Sequence, residues 1–284
     1  MVKSKYSNLH YDDHAGYSWE KYVEHVNLLF NSEDFWIFRG HSNQEWELST
    51  SIQRSDVRPE NRLAFEEQLI DQLKRRIDLY LSNELCPTNI IEWLSLLQHY
   101  GASTRLLDWT KSPFIASFFA FTECLHHDPC VWALNASKLV QIIANKYPDI
   151  FLNVFEQNIK KQRLLFEGIT INVNLEDERL LMEFSKNNLD MVFPVYPYKL
   201  NQRINNQQGL FIAQGNIENK FEDCIANIDP DHKECLIQKI IIHKSEKYKV
   251  LRNLHNMNIN YATLFPGIEG VTKSININCI QNFI

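Results

Sequence analysis

The 284-residue chain has no surplus of positive charge: 29 Lys and Arg stand against 35 Asp and Glu, a net charge of −6. That excludes a broad basic footprint for nucleic acid. Two local basic clusters, Lys74-Arg75-Arg76 and Lys160-Lys161-Gln162-Arg163, read as solvated helix faces. No apolar run approaches the roughly 20 residues of a membrane span. Residues 1–14, "MVKSKYSNLHYDDH", lack the apolar stretch of a secretory signal. No C-x-x-C occurs, and the six cysteines, at 86, 124, 130, 224, 235 and 279, are scattered. Reduced thiols in a cytoplasmic protein are expected. "CLHHDPC" (124–130) clusters cysteine and histidine, but the spacing fits no common zinc site and Asp128-Pro129 marks a turn, so no metal is expected. No repeat, low-complexity tract or linker divides the chain. At 44% hydrophobic and 23% charged residues, it is long enough for a sizeable core.

What is present alternates between helical and strand patterns, and one α+β domain is expected. "SWEKYVEHVNLLF" (18–30) is a helix capped by Ser18, with Trp19, Tyr22, Val23, Val26 and Phe30 on one face. A strand follows at 35–39. Leu63, Ile70, Leu73, Ile77 and Leu81 repeat at helical spacing over 61–81. "NIIEWLSLLQHYG" (89–101) is a second helix, with Asn89 and Glu92 placed for reciprocal capping and Gly101 as the stop. "TRLLDW" suits a short strand. Ser112-Pro113 then starts a helix that is apolar nearly all round and therefore buried. "CVWALN" (130–135), "DMVFPVYP" (190–197), "GLFIAQG" (209–215) and "CLIQKIII" (235–242) are strand candidates, residues 136–190 are mainly helical with loops, and 245–257 is a late helix.

Three places combine polar residues with buried structure. In "FWIFRGHSNQ" (35–44), a strand ends on Arg39-Gly40. Arginine is rarely buried without a partner, and its planar fork suits a carboxylate or a phosphate. The glycine admits another backbone or a ligand at close range. In "DWTKSP", Asp108, Thr110 and Ser112 sit at a strand-to-helix turn, where helix-start amides attract anions. In "NQRINNQQGLF" (201–211), Gln202, Arg203, Gln207 and Gln208 crowd against a glycine that begins a strand. Each place has a structural alternative. Arg39 pairs internally with Asp108 or Glu45, Arg105 does the same, Asp108 and Ser112 only cap a helix, and the glutamines lie in an exposed hairpin loop.

"WIFRGHSNQEWEL" together with "LQHYGASTRLLDWTKSPFIASFFAF" resembles the FRG domain family, named for its Phe-Arg-Gly motif. "QRINNQQGLF" and "LFPGIEG" (264–270) are similar to the family's later motifs, in the expected order. The resemblance covers roughly residues 20 to 275, and Ala102-Ser103 departs from it where the family usually has proline before the threonine. It implies an FRG-type α+β domain over 31–284 after an N-terminal helical extension over 1–30.

The motif order is in turn similar to that of ADP-ribosyltransferases of the arginine-serine-glutamate kind. That likeness implies a split β-sheet core flanked by helices, with NAD as the substrate. Arg39 matches the first motif, Thr110 with Ser112 the second, and Gln208 the third. Arg39, Thr110 and Gln208 are thereby the implied catalytic set. Arg39, Gly40, Tyr100, Arg105, Asp108, Trp109, Ser112 and Arg203 are the implied NAD-binding set, with Tyr100 and Trp109 stacking on the rings unless they are core. Gln208 departs from the pattern, because glutamine cannot supply a carboxylate's charge. Glu167, Glu183 and Glu269 are the alternative acids. The implied partner is a macromolecular target, nucleic acid or protein, in a toxin or antiphage setting with a possible cognate antitoxin and no membrane. A binding module without catalysis and a metal-dependent nuclease-like hydrolase are the competing readings.

Overall fold

The computed structural model describes residues 16–82, 86–124, 126–147, 181–182, 185–197, 201–228 and 236–281. Helix α1 (Trp19–Phe30) starts where Ser18 Oγ accepts the Lys21 amide. Trp19, Tyr22 and Val26 are buried as the spacing predicts. In the last turn Leu29 takes the buried position and Phe30 turns outward, still meeting Phe38 edge-on at 6.1 Å. Strand β1 (Trp36–His41) follows, then α2 (Arg62–Lys74), α3 (Ile90–His99) and β2 (Leu106–Thr110). The pattern over 61–81 breaks at Lys74, and its Ile77 lies in a separate 3-10 turn, Ile77–Leu79. Asn89 caps α3 by accepting the Glu92 amide, and Gly101, at φ 87°, ends it in the left-handed conformation that glycine adopts without strain.

Helix α4 (Pro113–Thr122) starts on the Ser112 cap and is buried along most of its length. Strand β3 (Cys130–Asn135) leads directly into α5 (Ala136–Lys146). The expected helical stretch beyond α5 lies mostly outside the described residues. β4 (Val192–Val195), β5 (Gly209–Gln214) and β6 (Ile237–Ile241) complete the strands, and α8 (Lys247–Asn256) is the late helix. Four short or unforeseen helices join them: α6 (Gln202–Asn206), α7 (Phe221–Ile228), α9 (Tyr261–Leu264) and α10 (Ile268–Gln281).

The strands form one six-stranded antiparallel sheet, β4-β5-β2-β1-β3-β6. The split core implied by the motif likeness is thus replaced by a single sheet, flanked by helices, among the described residues. Alternation along β1 feeds two cores. Ile37 packs into one with α3, while Trp36 and Phe38 pack into the other with α1, α4 and α8. Tyr22 of α1 donates from its hydroxyl to the Pro113 carbonyl at 2.9 Å inside the second core. A Cβ at Gly40 would meet the Ala116 carbonyl oxygen at 2.0 Å and the Ala120 amide nitrogen at 2.7 Å. Gly40 therefore admits a backbone, that of α4, against the middle of the sheet.

The sheet loosens at one place. β1 and β2 pair at a single register, Phe38 with Thr110, whereas β1 and β3 pair along their whole length. Past Phe38 the two central strands diverge into a fork. The Arg39 guanidinium reaches into it, donating from Nη1 to the Asp108 carbonyl at 2.6 Å. Among the described residues, no helix is long and apolar enough to cross a membrane.

Candidate functional site

A cavity of about 820 Å³ opens at this fork. Arg39, Asp108, Trp109 and Thr110 line its middle. Gln98 and His99 of α3 line it from one side of the sheet, and Phe119 and Glu123 from the side of α4. The single β1–β2 register places Trp109 on the face of Arg39, and alternation sends Asp108 to the other face. Both nevertheless border the same cavity, because it passes between the strands.

Arg39 is half-buried and forms no ion pair among the described residues, so neither Asp108 nor Glu45 neutralises it as a bonded partner. Burial lowers its pKa and the nearby Asp108 charge opposes that shift. Its Nε donates to His41 Nε2 at 3.1 Å and its Nη1 to the Asp108 carbonyl. Its other terminal nitrogen has no partner among the described residues. Trp132, directly opposite Arg39 on β3, brings its indole nitrogen to 3.3 Å from His41 Nδ1. A neutral imidazole has one acceptor nitrogen, whereas an imidazolium would direct N–H groups at both donors. Burial, followed by the Arg39 charge, pushes the His41 pKa down to about 3. His41 is therefore a neutral acceptor that orients Arg39. It went unremarked in the sequence, although its position two residues beyond Arg39 puts it on the same face of a strand.

Trp109 is 3% exposed and packed in the core, and its indole nitrogen has no hydrogen-bond partner among the described residues. Thr110 is committed to structure: its hydroxyl donates to the Gln207 carbonyl at 2.7 Å and accepts the Ser112 amide at 3.1 Å. Ser112 caps α4 and does not line the cavity. The Asp108 carboxylate is exposed and makes no ion pair or hydrogen bond among the described residues.

The other candidates are scattered. Arg105 is 3% exposed and meets Glu66, 2% exposed, at 2.7 Å; it also donates to Ser185, away from the cavity. Tyr100 is 77% exposed, stands edge-on to His99, and does not line the cavity. Gln208 is exposed at φ 47° in the turn before β5; its carbonyl accepts the Lys111 amide at 3.0 Å, and it is not a lining residue. Its neighbour Gln207 does line the cavity and donates to the Leu264 carbonyl at 3.2 Å. Arg203 lines it as well, with its guanidinium 4.7 Å above the Phe265 ring. Of the alternative acids, Glu269 lines the cavity in an ion pair with Lys273 at 2.8 Å, and Glu167 and Glu183 lie outside the described residues.

Among the described residues, no group of three or more His, Cys, Asp or Glu side chains is placed to hold a metal ion. In the "CLHHDPC" stretch, Cys124 instead contacts the His127 carbonyl and Cys130 is buried in β3, its thiol pushed up to about 12 by burial.

Residues 34–129 match the FRG domain, so this stretch of the chain carries an FRG domain. It supplies β1, α3, β2 and α4, and with them Arg39, His41, Gln98, Asp108 and Thr110. The walls built from α6, α9 and α10 come from beyond the matched stretch. No curated protein and no solved structure matches the chain. The likeness to ADP-ribosyltransferases therefore rests on motif order.

Proposed function

We propose that the cavity binds a dinucleotide of the NAD type, and that the chain is an ADP-ribosyltransferase-like enzyme acting on a macromolecule. The observation that carries this reading is Arg39: a half-buried guanidinium with an unused terminal nitrogen, in a cavity and without a bonded carboxylate. A planar fork of donors suits a pyrophosphate. About 820 Å³ lies in the range of small-molecule and cofactor sites.

The reaction balances simply. The glycosidic C–N bond of NAD breaks and neutral nicotinamide leaves with the bonding pair. A nucleophilic oxygen or nitrogen of the target then bonds to the ribose carbon and releases its proton to water. Positive charge on the ribose calls for an anion close by. Asp108 supplies it in this reading, because its carboxylate makes no ion pair among the described residues and borders the same cavity, from the face of the sheet opposite Arg39. The motif order gives that role to Gln208 instead. A glutamine before β5 also favours a second reading, nucleotide binding without chemistry. A cytosolic toxin or antiphage effector restrained by an antitoxin is the setting that goes with transfer.

Nicotinamide release from NAD tests the proposal. The wild type should release nicotinamide, and Asp108→Asn should lower the rate roughly a hundredfold while NAD still binds. If Gln208→Ala rather than Asp108→Asn removes the activity, the motif order assigns the role correctly. NAD binding with no release by any form leaves the binding reading, and no NAD binding ends both.

A further inference from the structure

The cavity has a second pole, distinct in composition from the Arg39 fork. Tyr261 and Phe265 form an aromatic floor with centroids 5.4 Å apart, and Phe119 meets Phe265 edge-on at 6.1 Å. Two cations lie over it. Arg203 is 4.7 Å above Phe265, and Lys273 is 5.7 Å from the Tyr261 centroid and 5.8 Å from that of Phe265. Arg203 forms no hydrogen bond or ion pair among the described residues, so its donors are available.

This pole is built from backbone outward. Asn206 donates to the Thr263 carbonyl at 2.8 Å and Gln207 to that of Leu264 at 3.2 Å, fixing α6, which carries Arg203, against α9. A Cβ at Gly270 would meet the Phe265 carbonyl oxygen at 2.0 Å, so glycine lets α10, with Lys273, close against the same turn. Side chains so mounted suit a flat ring with a phosphate attached. Bases stack on aromatic rings and on guanidinium planes, and Arg203, which has no ion pair among the described residues, takes the phosphate, whereas Lys273 is held by Glu269 at 2.8 Å. The net charge of −6 argues against a long nucleic-acid footprint, so the recognised unit is short.

We infer that this pole is an acceptor subsite for one nucleotide of single-stranded nucleic acid. As an acceptor subsite it rests on the NAD reading of the Arg39 fork; as a binding site it does not. Fluorescence anisotropy with short single-stranded RNA and DNA, beside titration with NAD, tests it on the full chain. The wild type should bind an oligonucleotide of a few residues, more weakly as salt rises. Arg203→Ala should weaken that binding about tenfold and flatten its salt dependence. Arg39→Lys should weaken NAD binding and leave oligonucleotide binding near the wild-type level. A melting temperature near that of the wild type establishes that each variant is folded, and Arg203→Lys, which keeps the charge but not the stacking plane, should bind at an intermediate level. Oligonucleotide binding without NAD binding keeps the subsite and ends the transfer reading. No oligonucleotide binding, binding indifferent to Arg203, or NAD-dependent labelling of protein alone overturns the inference, the last while leaving the NAD reading intact.

Discussion

At the scale of single residues, Arg39 and its two neighbours divide the work. His41 accepts from Arg39 and is held neutral, its pKa depressed to about 3 from an ordinary 6.5. The unfolded chain therefore binds a proton that the folded one refuses. The stability contributed by neutral His41 is complete above about pH 6.5 and is lost as the pH falls toward 3. The melting temperature should decline between pH 6.5 and 5, above the range where most carboxylates titrate, and His41→Gln should flatten that slope. Equal slopes in thermal melts of the two proteins would mean that His41 is not the titrating group. Gly40→Ala should cost about 3 kcal/mol or more by urea denaturation, or prevent folding, because the added carbon meets helix backbone rather than a movable side chain. A near-neutral result would show that α4 can retreat from β1.

At the scale of elements, the buried pair of Arg105, just before β2, and Glu66 ties the start of that strand to α2. Removing one partner, as in Glu66→Leu, should destabilise by about 3–5 kcal/mol, and joint replacement by apolar residues should recover much of that. Chemical denaturation of the single and double variants measures it, and equal losses in both would point to packing rather than charge. This pairing was not legible in the sequence, since the partners lie on separate elements and no periodicity links them. The caps at Ser18, Asn89 and Ser112 were legible, because capping depends on residues within one turn. So were the strands, as apolar runs bounded by polar ones, and the FRG resemblance over residues 34–129. The single sheet was not, because strand order is set by pairings between segments far apart in sequence, such as β2 with β5. Nor were α6 and α9: helices of five and four residues have too few positions to show a period. Their docking through Asn206 and Gln207 explains why "QRINNQQGLF" and "LFPGIEG" go together. Thr110→Val should cost about 1–3 kcal/mol by leaving the Ser112 amide without its acceptor. No change in the melting temperature would mean that water replaces the hydroxyl.

At the scale of the whole molecule, a six-stranded antiparallel sheet diverges at its centre, between β1 and β2, and places a guanidinium in the opening. The two cores hold the fork from opposite faces, and the loop after β1, with Ser42, Trp46, Glu47, Ser49 and Arg54, completes the cavity wall. The central claim is that Arg39 grips an anionic ligand there with its planar fork. Calorimetric titration of NAD into the wild type, Arg39→Lys and Arg39→Ala tests it most directly. The account predicts binding by the wild type and a comparable loss, about tenfold or greater, in both variants, because lysine keeps the charge but not the paired donors. Unaltered NAD affinity in Arg39→Ala, in a protein that still melts like the wild type, would contradict it.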